Sequence, residues 1–306
     1  MTDQLERYLL HDKSARIQSV DLSDAWQTGL AHQHLPGVVQ ALLGELTAAA
    51  ALLANNLKFD GALILQIQGD GPLSLLVAEC DANLTIRATA TLQDNAEIQD
   101  DADLQDLVNL HGEGRFIVVL DPKNKNKGMQ PYQGIVNLEG NSIAEMLQSY
   151  LKTSEQLDSR LCLAANEKRA VGLLLQRLPT EGGHDSPSTN PDETWETLNH
   201  LVATVKHQEL LETPAHRLLH RLFWEQELFA LEPVTLQWFC PCSRKRVAEM
   251  LKMLGQTEVQ EIEQEQGEIE VVCNFCGQPY VFDSIDLHSL FSDASTLPPG
   301  EDPTLH

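Results

Sequence analysis

The stretch FDGALILQIQGDGPLSLLVAEC, residues 59–80, decides the fold class of the first part of the chain. Leu63, Leu65 and Ile67 alternate with residues on the opposite face, which is the period-two pattern of a β-strand. The sequence at 69–72, Gly-Asp-Gly-Pro, favours a turn. Residues 73–80 then predict a second strand, so this stretch reads as two strands joined by a turn.

The residues on either side repeat the same kinds of pattern. Further strand patterns occur at residues 84–90, 115–120, 132–138, 159–165 and 170–178. Helical patterns occur at 36–56, which is rich in Ala and Leu, and at 141–156. Because strands outnumber helices and are mostly joined by turns, the sequence predicts an α+β fold. Its N-terminal domain, residues 1–180, is expected to be an antiparallel sheet with helices on one side.

A change of composition marks the end of this domain. The sequence PTEGGHDSPSTNP at 179–191 is dominated by residues that favour loops. Residues 192–230 then predict two helices, within a loop and helical linker assigned to 181–233. The second predicted helix carries a broad apolar stripe formed by Leu218, Leu219, Leu222, Phe223 and Phe229. Two such helices cannot form a core alone, so their apolar faces must pack against another part of the protein.

Four cysteines near the end of the chain form two close pairs. They are Cys240-Pro241-Cys242 and Cys273-Asn274-Phe275-Cys276, separated by thirty residues. Four thiolates are the soft, tetrahedral set that Zn²⁺ prefers, which predicts one zinc ion per chain. The first pair has one intervening residue, where zinc ribbons commonly have two. The predicted zinc-binding domain covers 234–291, and residues 292–306 are predicted to be a disordered tail.

The metal is expected to be essential for the stability of this small domain. A segment of about 55 residues has a thin apolar core. Zinc in a thiolate site contributes roughly 10–16 kcal/mol of apparent binding energy, against about 5–15 kcal/mol for the stability of a whole domain. Loss of the metal should therefore unfold the domain. The spacing alone favours an inert structural zinc ribbon, because closed four-cysteine sites are usually structural. A catalytic zinc is not expected, since four protein ligands leave no open position for water.

Composition limits the partners and the compartment. The formal charge is −24, from 21 basic and 45 acidic side chains, which disfavours nucleic acid and anionic membranes as partners. The N-terminus predicts no secretory signal. The most apolar stretch, residues 41–54, is expected to be too short to span a bilayer. Six cysteines, four of them clustered, indicate a reducing compartment, so a cytoplasmic location is expected.

Other residues that could carry chemistry have ordinary explanations. His216 and His220 have the i, i+4 spacing of a helical metal site, but no third ligand accompanies them, and surface histidines explain them better. Cys80 and Cys162 lie in apolar strand patterns and are expected to be packed thiols. The glycines form no phosphate-binding loop, and no nucleophile–base pair points to an enzyme.

The chain resembles a known family over nearly its whole length. The most specific segments are FCPCSRKR (239–246) and CNFCGQPYVFD (273–283). Further matching segments are LKFDGALILQIQGDGPLSLLVAEC (57–80), YQGIVNLEG (132–140), SYLKTSEQLDSR (149–160), GLLLQRLP (172–179) and ELLETPAHRLLHRLFWE (209–225). In these segments the chain is similar to the redox-regulated 33 kDa heat-shock proteins of bacteria, which are ATP-independent holdase chaperones.

The resemblance implies a function and a mechanism. The reduced form would hold Zn²⁺ through Cys240, Cys242, Cys273 and Cys276 and be inactive. Oxidation, helped by heat, would form the disulfides Cys240–Cys242 and Cys273–Cys276 and release zinc. The zinc domain and linker would then unfold, and the exposed surface would bind unfolding client proteins. The activated protein would also dimerise. We expect the stripe at 218–229 to be covered in the reduced form and exposed in the oxidised form.

Two other classes of function compete with this interpretation. A zinc-ribbon adaptor that binds one specific protein partner would use the same metal site, but it would lose its binding when zinc is removed. A nucleic-acid-binding ribbon is disfavoured by the negative charge. A conventional enzyme is the least favoured class.

Overall fold

The computed structural model describes residues 3–56, 60–123, 130–179 and 191–292. The chain divides into two units, the first ending at Phe239 and the second beginning at Cys240. Most of the boundary loop predicted at 179–191, and the tail from 293 onward, lie outside the described residues. The division into domain, linker and zinc-binding domain at 180 and 233 stays a prediction.

The first unit alternates between strands and helices. In chain order its elements are β1 (Gln4–Leu10), β2 (Ala15–Leu22), α1 (Asp24–Leu30), α2 (Gly37–Ala54), β3 (Gly61–Gln68), β4 (Leu73–Asp81), β5 (Thr85–Leu92), α3 (Leu104–Val108), β6 (Arg115–Pro122), β7 (Tyr132–Val136), α4 (Ile143–Thr153), β8 (Ser159–Ala165), β9 (Ala170–Arg177), α5 (Pro191–Ala203), α6 (His207–Glu212), α7 (Ala215–Phe223), β10 (Leu228–Thr235) and β11 (Gln237–Trp238).

The strands of the first unit form two sheets. The five-stranded sheet has the order β10-β1-β2-β9-β8, and the six-stranded sheet has the order β11-β5-β4-β3-β6-β7. Neighbouring strands are antiparallel, apart from the short parallel pair of β11 with β5. The predicted α+β fold with antiparallel sheets is confirmed. The hairpins predicted at 59–80 and 159–178 are present as β3–β4 and β8–β9.

Helix α2 packs between the two sheets. It contacts β2, β8 and β9 of one sheet and β3, β4 and β5 of the other. Small side chains allow this close approach: a Cβ at Gly44 would lie 2.4 Å from the Cβ of Ala165. By length and composition α2 is apolar enough to cross a membrane, but most of it is buried inside the protein, as in the core helix of a soluble protein.

The five-stranded sheet has helices on both faces. Strand β9 is buried at every position from Ala170 to Gln176, so it has no solvent face. Leu174 belongs to the core shared with α2, whereas Leu173 and Leu175 belong to a second core. Helices α5, α6 and α7, hereafter the helix layer, complete that second core with Leu198, Val202, Leu210, Leu218, Leu219, Leu222 and Phe223.

The structure corrects the helices predicted at 192–230. Three helices form instead of two, and the last one ends at Phe223. Residues 228–235 are strand β10, which pairs with β1 at the edge of the five-stranded sheet. Phe229 is therefore not part of the apolar stripe of the helices. It lies on β10, is 48 % exposed and stacks on His11. The strand was missed because its partner lies more than two hundred residues away in sequence.

The second unit is small and has its own core. Its elements are α8 (Arg244–Leu254), α9 (Gln256–Gln266), β12 (Ile269–Val272), β13 (Pro279–Phe282) and α10 (Ser284–Ser292). Strands β12 and β13 form an antiparallel hairpin. The fully buried apolar side chains are Leu251, Val259, Ile269, Phe282 and Leu287. A core of this size gives little stability by itself, so a metal ion would add much of what holds the unit together.

The close approach at Gly44 generates a first prediction. Gly44→Ala should reduce the free energy of unfolding by about 1–3 kcal/mol, because the new methyl group overpacks the contact with Ala165. Gly37→Ala is the matched control in the same helix, since a Cβ there meets nothing within 4 Å. Urea denaturation of both variants checks this, and equal stability of the two would contradict the packing described here.

A second prediction concerns the ion pair between α6 and α2. His207 Nε2 lies 3.4 Å from Glu45 Oε1, and the hydrogen bond with this carboxylate raises the pKa of His207. The pair should therefore stabilise the fold fully below the ordinary imidazole pKa of about 6.5. That contribution should disappear as the pH rises through the raised pKa.

The expected contribution is below about 1 kcal/mol, because more than half of the His207 side chain is exposed. Urea midpoints of the wild type and His207→Gln, measured across this pH range, give the test. The urea midpoints of the two proteins should differ at the acidic end of this range and become equal at the alkaline end. A constant difference at all pH values would contradict the assignment. Glu45→Gln should reproduce the effect of the histidine variant.

Candidate metal centre

Two irregular segments of the second unit carry the four cysteines. Cys240 and Cys242 lie just before α8, whose N-terminus is capped by the Ser243 hydroxyl. Cys273 and Cys276 lie in the turn between β12 and β13. The Cys273 carbonyl accepts hydrogen bonds from the backbone N–H groups of Cys276 and Gly277. Gly277 has φ +66°, a left-handed conformation that glycine adopts without strain.

The four sulfur atoms converge on one point. Cys240 Sγ lies 3.7 Å from Cys273 Sγ, and Cys242 Sγ lies 3.3 Å from Cys276 Sγ. All four sulfurs lie within 4.8 Å of one another. In a regular tetrahedron with Zn–S bonds of about 2.3 Å, the sulfurs would be about 3.8 Å apart. The cluster therefore fits a four-coordinate metal ion bound by thiolates. When bound, zinc would supply a closed structural cross-link between two segments distant in sequence.

Burial and hydrogen bonds shift the pKa of Cys242 in one direction and the pKa values of Cys240 and Cys276 in the other. Burial opposes ionisation of Cys242, but hydrogen bonds from the Tyr280 hydroxyl and the neighbouring thiols outweigh it and lower its pKa. Burial raises the pKa values of Cys240 and Cys276, and the neighbouring thiols raise them further. The hydrogen bond to Cys242 raises the pKa of Tyr280 to about 12. The hydrogen bonds to Cys242 therefore favour its thiolate form.

Arg244 connects the elements around the cluster. Its guanidinium donates to the Val281 carbonyl at 2.6 Å and to Asp286 at 2.5 Å. It also lies 4.3 Å from the centroid of the Phe282 ring, in a cation–π arrangement. Arg244 therefore joins α8 to β13 and α10, and the elements that carry the cysteines are fixed to one another.

The remaining sequence candidates lie elsewhere. Within the described part of the chain, the four cysteines form the one cluster of potential ligands with metal-binding geometry. His216 and His220 are exposed on α7 and belong to no such cluster. Cys80 is fully buried, and burial raises its pKa. Cys162 donates a hydrogen bond to the Val202 carbonyl at 3.6 Å, and burial raises its pKa to about 11. The prediction that these two are packed thiols is confirmed.

The fold and this cluster define a two-unit α+β protein with a four-cysteine centre that can hold a metal ion. A family model described as "Hsp33 protein" matches residues 3–283 of the chain. The chain belongs to the Hsp33 family of chaperones. The family predicted from the sequence segments is therefore confirmed.

Named relatives support the same assignment. The chain is 42 % identical over 299 residues to the 33 kDa chaperonin of Methylobacillus flagellatus, covering 97 % of both proteins. It is 45 % identical over 291 residues to the 33 kDa chaperonin of Chromobacterium violaceum, covering 94 % of both. A crystal structure of the 33 kDa chaperonin from Thermotoga maritima has the same fold, with a TM-score of 0.77 at 23 % identity, covering 95 % of this chain and 99 % of that one.

Two sets of contacts around the site were missed at the sequence level. Tyr280 and Arg244 lie in segments quoted for the family resemblance, and Arg244 follows the first cysteine pair closely, but no spacing predicts which groups either side chain contacts. Tyr280 reaches Cys242, 38 residues away, and Arg244 reaches Asp286, 42 residues away. Such contacts depend on the tertiary fold of the unit and leave no periodic signal in the sequence.

A third prediction follows from the sulfur geometry. Cys242→Ser should reduce bound zinc from about one ion per chain to nearly none, because three thiolates bind the metal far more weakly. Hydrogen exchange should then show loss of protection in residues 240–292. Cys162→Ala is the matched control and should keep both zinc and protection, since its thiol lies in the first unit. Full zinc binding by Cys242→Ser would contradict this assignment.

Proposed function

We propose that this chain is a redox-regulated, ATP-independent holdase chaperone with no enzymatic activity. In this proposal the reduced protein binds one Zn²⁺ through Cys240, Cys242, Cys273 and Cys276 and is inactive. Oxidation forms disulfides, releases zinc and unfolds the second unit. The proteins it would bind are unfolding clients in the bacterial cytoplasm during heat and oxidative stress. The observation that carries the proposal is the convergence of four cysteine sulfurs in a family of chaperones.

The small core of the second unit supports metal-dependent folding. Five fully buried apolar side chains form that core. Metal binding in thiolate sites contributes roughly 10–16 kcal/mol, which is comparable with the stability of a whole domain. Oxidation of the ligands would remove this contribution at once. The second unit would then unfold, while the first unit keeps the larger core around α2.

The helix layer is the surface that we propose clients bind after activation. It covers the apolar face of the five-stranded sheet formed by Ile17, Leu173 and Leu175. Polar contacts also fasten it, among them Arg160 with Asn199 and His207 with Glu45. Arg169 is the clearest of them: it pairs with Asp21 on the sheet at 2.6 Å and donates to the Leu211 carbonyl at 2.5 Å. Detachment of the layer would expose apolar residues on both the helices and the sheet.

The disulfide pairing in the oxidised form is part of the proposal. Sulfur–sulfur distances of 3.7 Å and 3.3 Å join Cys240 to Cys273 and Cys242 to Cys276, across the two cysteine pairs. All pairings remain accessible, however, because the four sulfurs lie within 4.8 Å of one another. We propose Cys240–Cys242 and Cys273–Cys276, since these pairings do not cross-link the two segments and so allow the unit to unfold. Peptide mapping of the oxidised protein distinguishes the two arrangements.

A zinc-ribbon adaptor is the second candidate function. The observation that favours it is the closed set of four ligands, which is typical of permanent structural zinc. The two candidates predict opposite results when the metal is lost. A chaperone of the proposed kind gains activity, whereas an adaptor loses binding to its partner. The oligomeric state also separates them, because we propose that the oxidised chaperone dimerises.

A fourth prediction tests the function directly. Reduced, zinc-loaded protein is treated with hypochlorite, and zinc release is followed with a chromophoric chelator. Aggregation of a heat-denatured client is measured in parallel, without ATP. Zinc release and suppression of aggregation should rise together, and reductant with added zinc should reverse both. Release of zinc without any gain of activity would reject the proposed switch and favour the adaptor.

Cys162 supplies an internal control in the same experiment. Its thiol lies under α5, where it donates to the Val202 carbonyl. If the helix layer detaches, Cys162 should be alkylated faster in the hypochlorite-treated protein than in the reduced protein. Cys80, which lies in the other core, should stay protected in both. Equal and slow alkylation of both thiols would contradict detachment of the layer.

A further inference from the structure

A tyrosine hydroxyl contacts the cysteine cluster and has no assigned role in the proposed switch. The Tyr280 hydroxyl donates a hydrogen bond to Cys242 Sγ at 3.1 Å. The donor comes from β13, whereas the acceptor precedes α8, so the bond joins the two halves of the site.

The position of Tyr280 is fixed by the hairpin. Tyr280 pairs with Val271 of β12, and both neighbours in β13 are also paired with that strand. The tyrosine ring packs against the core of the unit, next to the fully buried Phe282. The hydroxyl is thus held by regular backbone structure, whereas Cys242 lies in an irregular segment. A donor held in this way can orient a sulfur ligand that lies in an irregular segment.

We propose that Tyr280 is a positioning residue that holds Cys242 as a zinc ligand and restrains the attack of its sulfur on peroxide. The role in holding Cys242 as a zinc ligand concerns metal binding by the chain's own residues. The restraint on the reaction with peroxide rests on the proposed redox function. Both follow from one hydrogen bond: the fixed donor orients Cys242 Sγ for metal binding, and it engages a sulfur lone pair that would otherwise attack peroxide.

The restrained step has a defined chemistry when hydrogen peroxide is the oxidant. The Cys242 thiolate attacks one peroxide oxygen, forming an S–O bond and breaking the O–O bond, and hydroxide leaves. Attack of the Cys240 thiolate on the resulting sulfenic acid forms the disulfide and releases a second hydroxide. Two thiolates thus lose two electrons, and peroxide is reduced to two hydroxide ions. A hydrogen bond to the attacking sulfur makes the first step slower, because that sulfur is a weaker nucleophile.

The test compares the full-length wild type with Tyr280→Phe, both reduced and zinc-loaded. Zinc affinity is measured by chelator competition under reducing conditions. We expect it to be about tenfold weaker in the variant, the lower end of the range for lost contacts to metal ligands. Zinc release by hydrogen peroxide and loss of free thiols should be about threefold to tenfold faster than in the wild type, after subtraction of the release without peroxide.

Two controls separate this role from a general loss of structure. Tyr132→Phe removes a hydroxyl in the first unit, whose hydrogen-bond partner is Tyr150, and should match the wild type in both measurements. Circular dichroism of zinc-saturated Tyr280→Phe should show the wild-type fold. Replacement of Tyr280 by p-aminophenylalanine, which restores an N–H donor on the same ring, should recover affinity and slow the reaction with peroxide.

The outcomes distinguish this inference from the proposed function. Unchanged affinity and unchanged peroxide rate in Tyr280→Phe would overturn the role of Tyr280, even if the wild type behaves as a redox-activated chaperone. Weaker affinity with an unchanged peroxide rate would overturn the restraint on oxidation. If peroxide releases no zinc from the wild type, the redox function fails, and the affinity measurement still decides whether Tyr280 positions the ligand.

Discussion

The five-stranded sheet has two apolar faces, and this constraint shapes the rest of the first unit. Strand β9 is buried throughout residues 170–176, so neither side of the sheet can face water. Helix α2 covers one face and connects it to the six-stranded sheet. The helix layer covers the other. Burial of apolar surface is worth about 25 cal/mol per Å², so each cover contributes substantially and each is costly to remove.

The two covers are built in different ways. Helix α2 is packed between two sheets, and at close contacts such as that of Gly44 with Ala165 there is no space for a larger side chain. The helix layer packs on a single sheet, and the chain links it to β9 on one side and β10 on the other. The layer is therefore an insertion between two strands of the sheet that it covers. It can be displaced as a unit without breaking the order of strands β1, β2, β9 and β8.

The connection between the metal centre and this layer runs through the edge of the sheet. Strand β10 is exposed along most of its length, contains Pro233 and has a bulge in its pairing with β1. It is followed by the two residues of β11, and Cys240 begins the second unit. Its outer edge has no strand partner within the described sheet. Under the proposed function, unfolding of the second unit would act on β10 first and reach the helix layer through it.

Local patterns predicted a large part of this architecture. The hairpin at 59–80, helix α2 and the cysteine cluster each have a periodicity or spacing that is complete within a short stretch. Strand β10 could not be predicted in this way, because it is defined by pairing such as that of Ala230 with Tyr8. The contact of Tyr280 with Cys242 was missed for the same reason, since it depends on how β13 folds back toward α8.

The central claim is that the metal centre controls whether the helix layer covers the sheet. Hydrogen exchange on reduced, zinc-bound protein and on oxidised, zinc-free protein tests it most directly. The account predicts strong protection of the amides of residues 191–223 in the reduced form and loss of that protection on oxidation, with β9 and α2 protected in both. Unchanged protection of 191–223 after complete zinc release would contradict the claim.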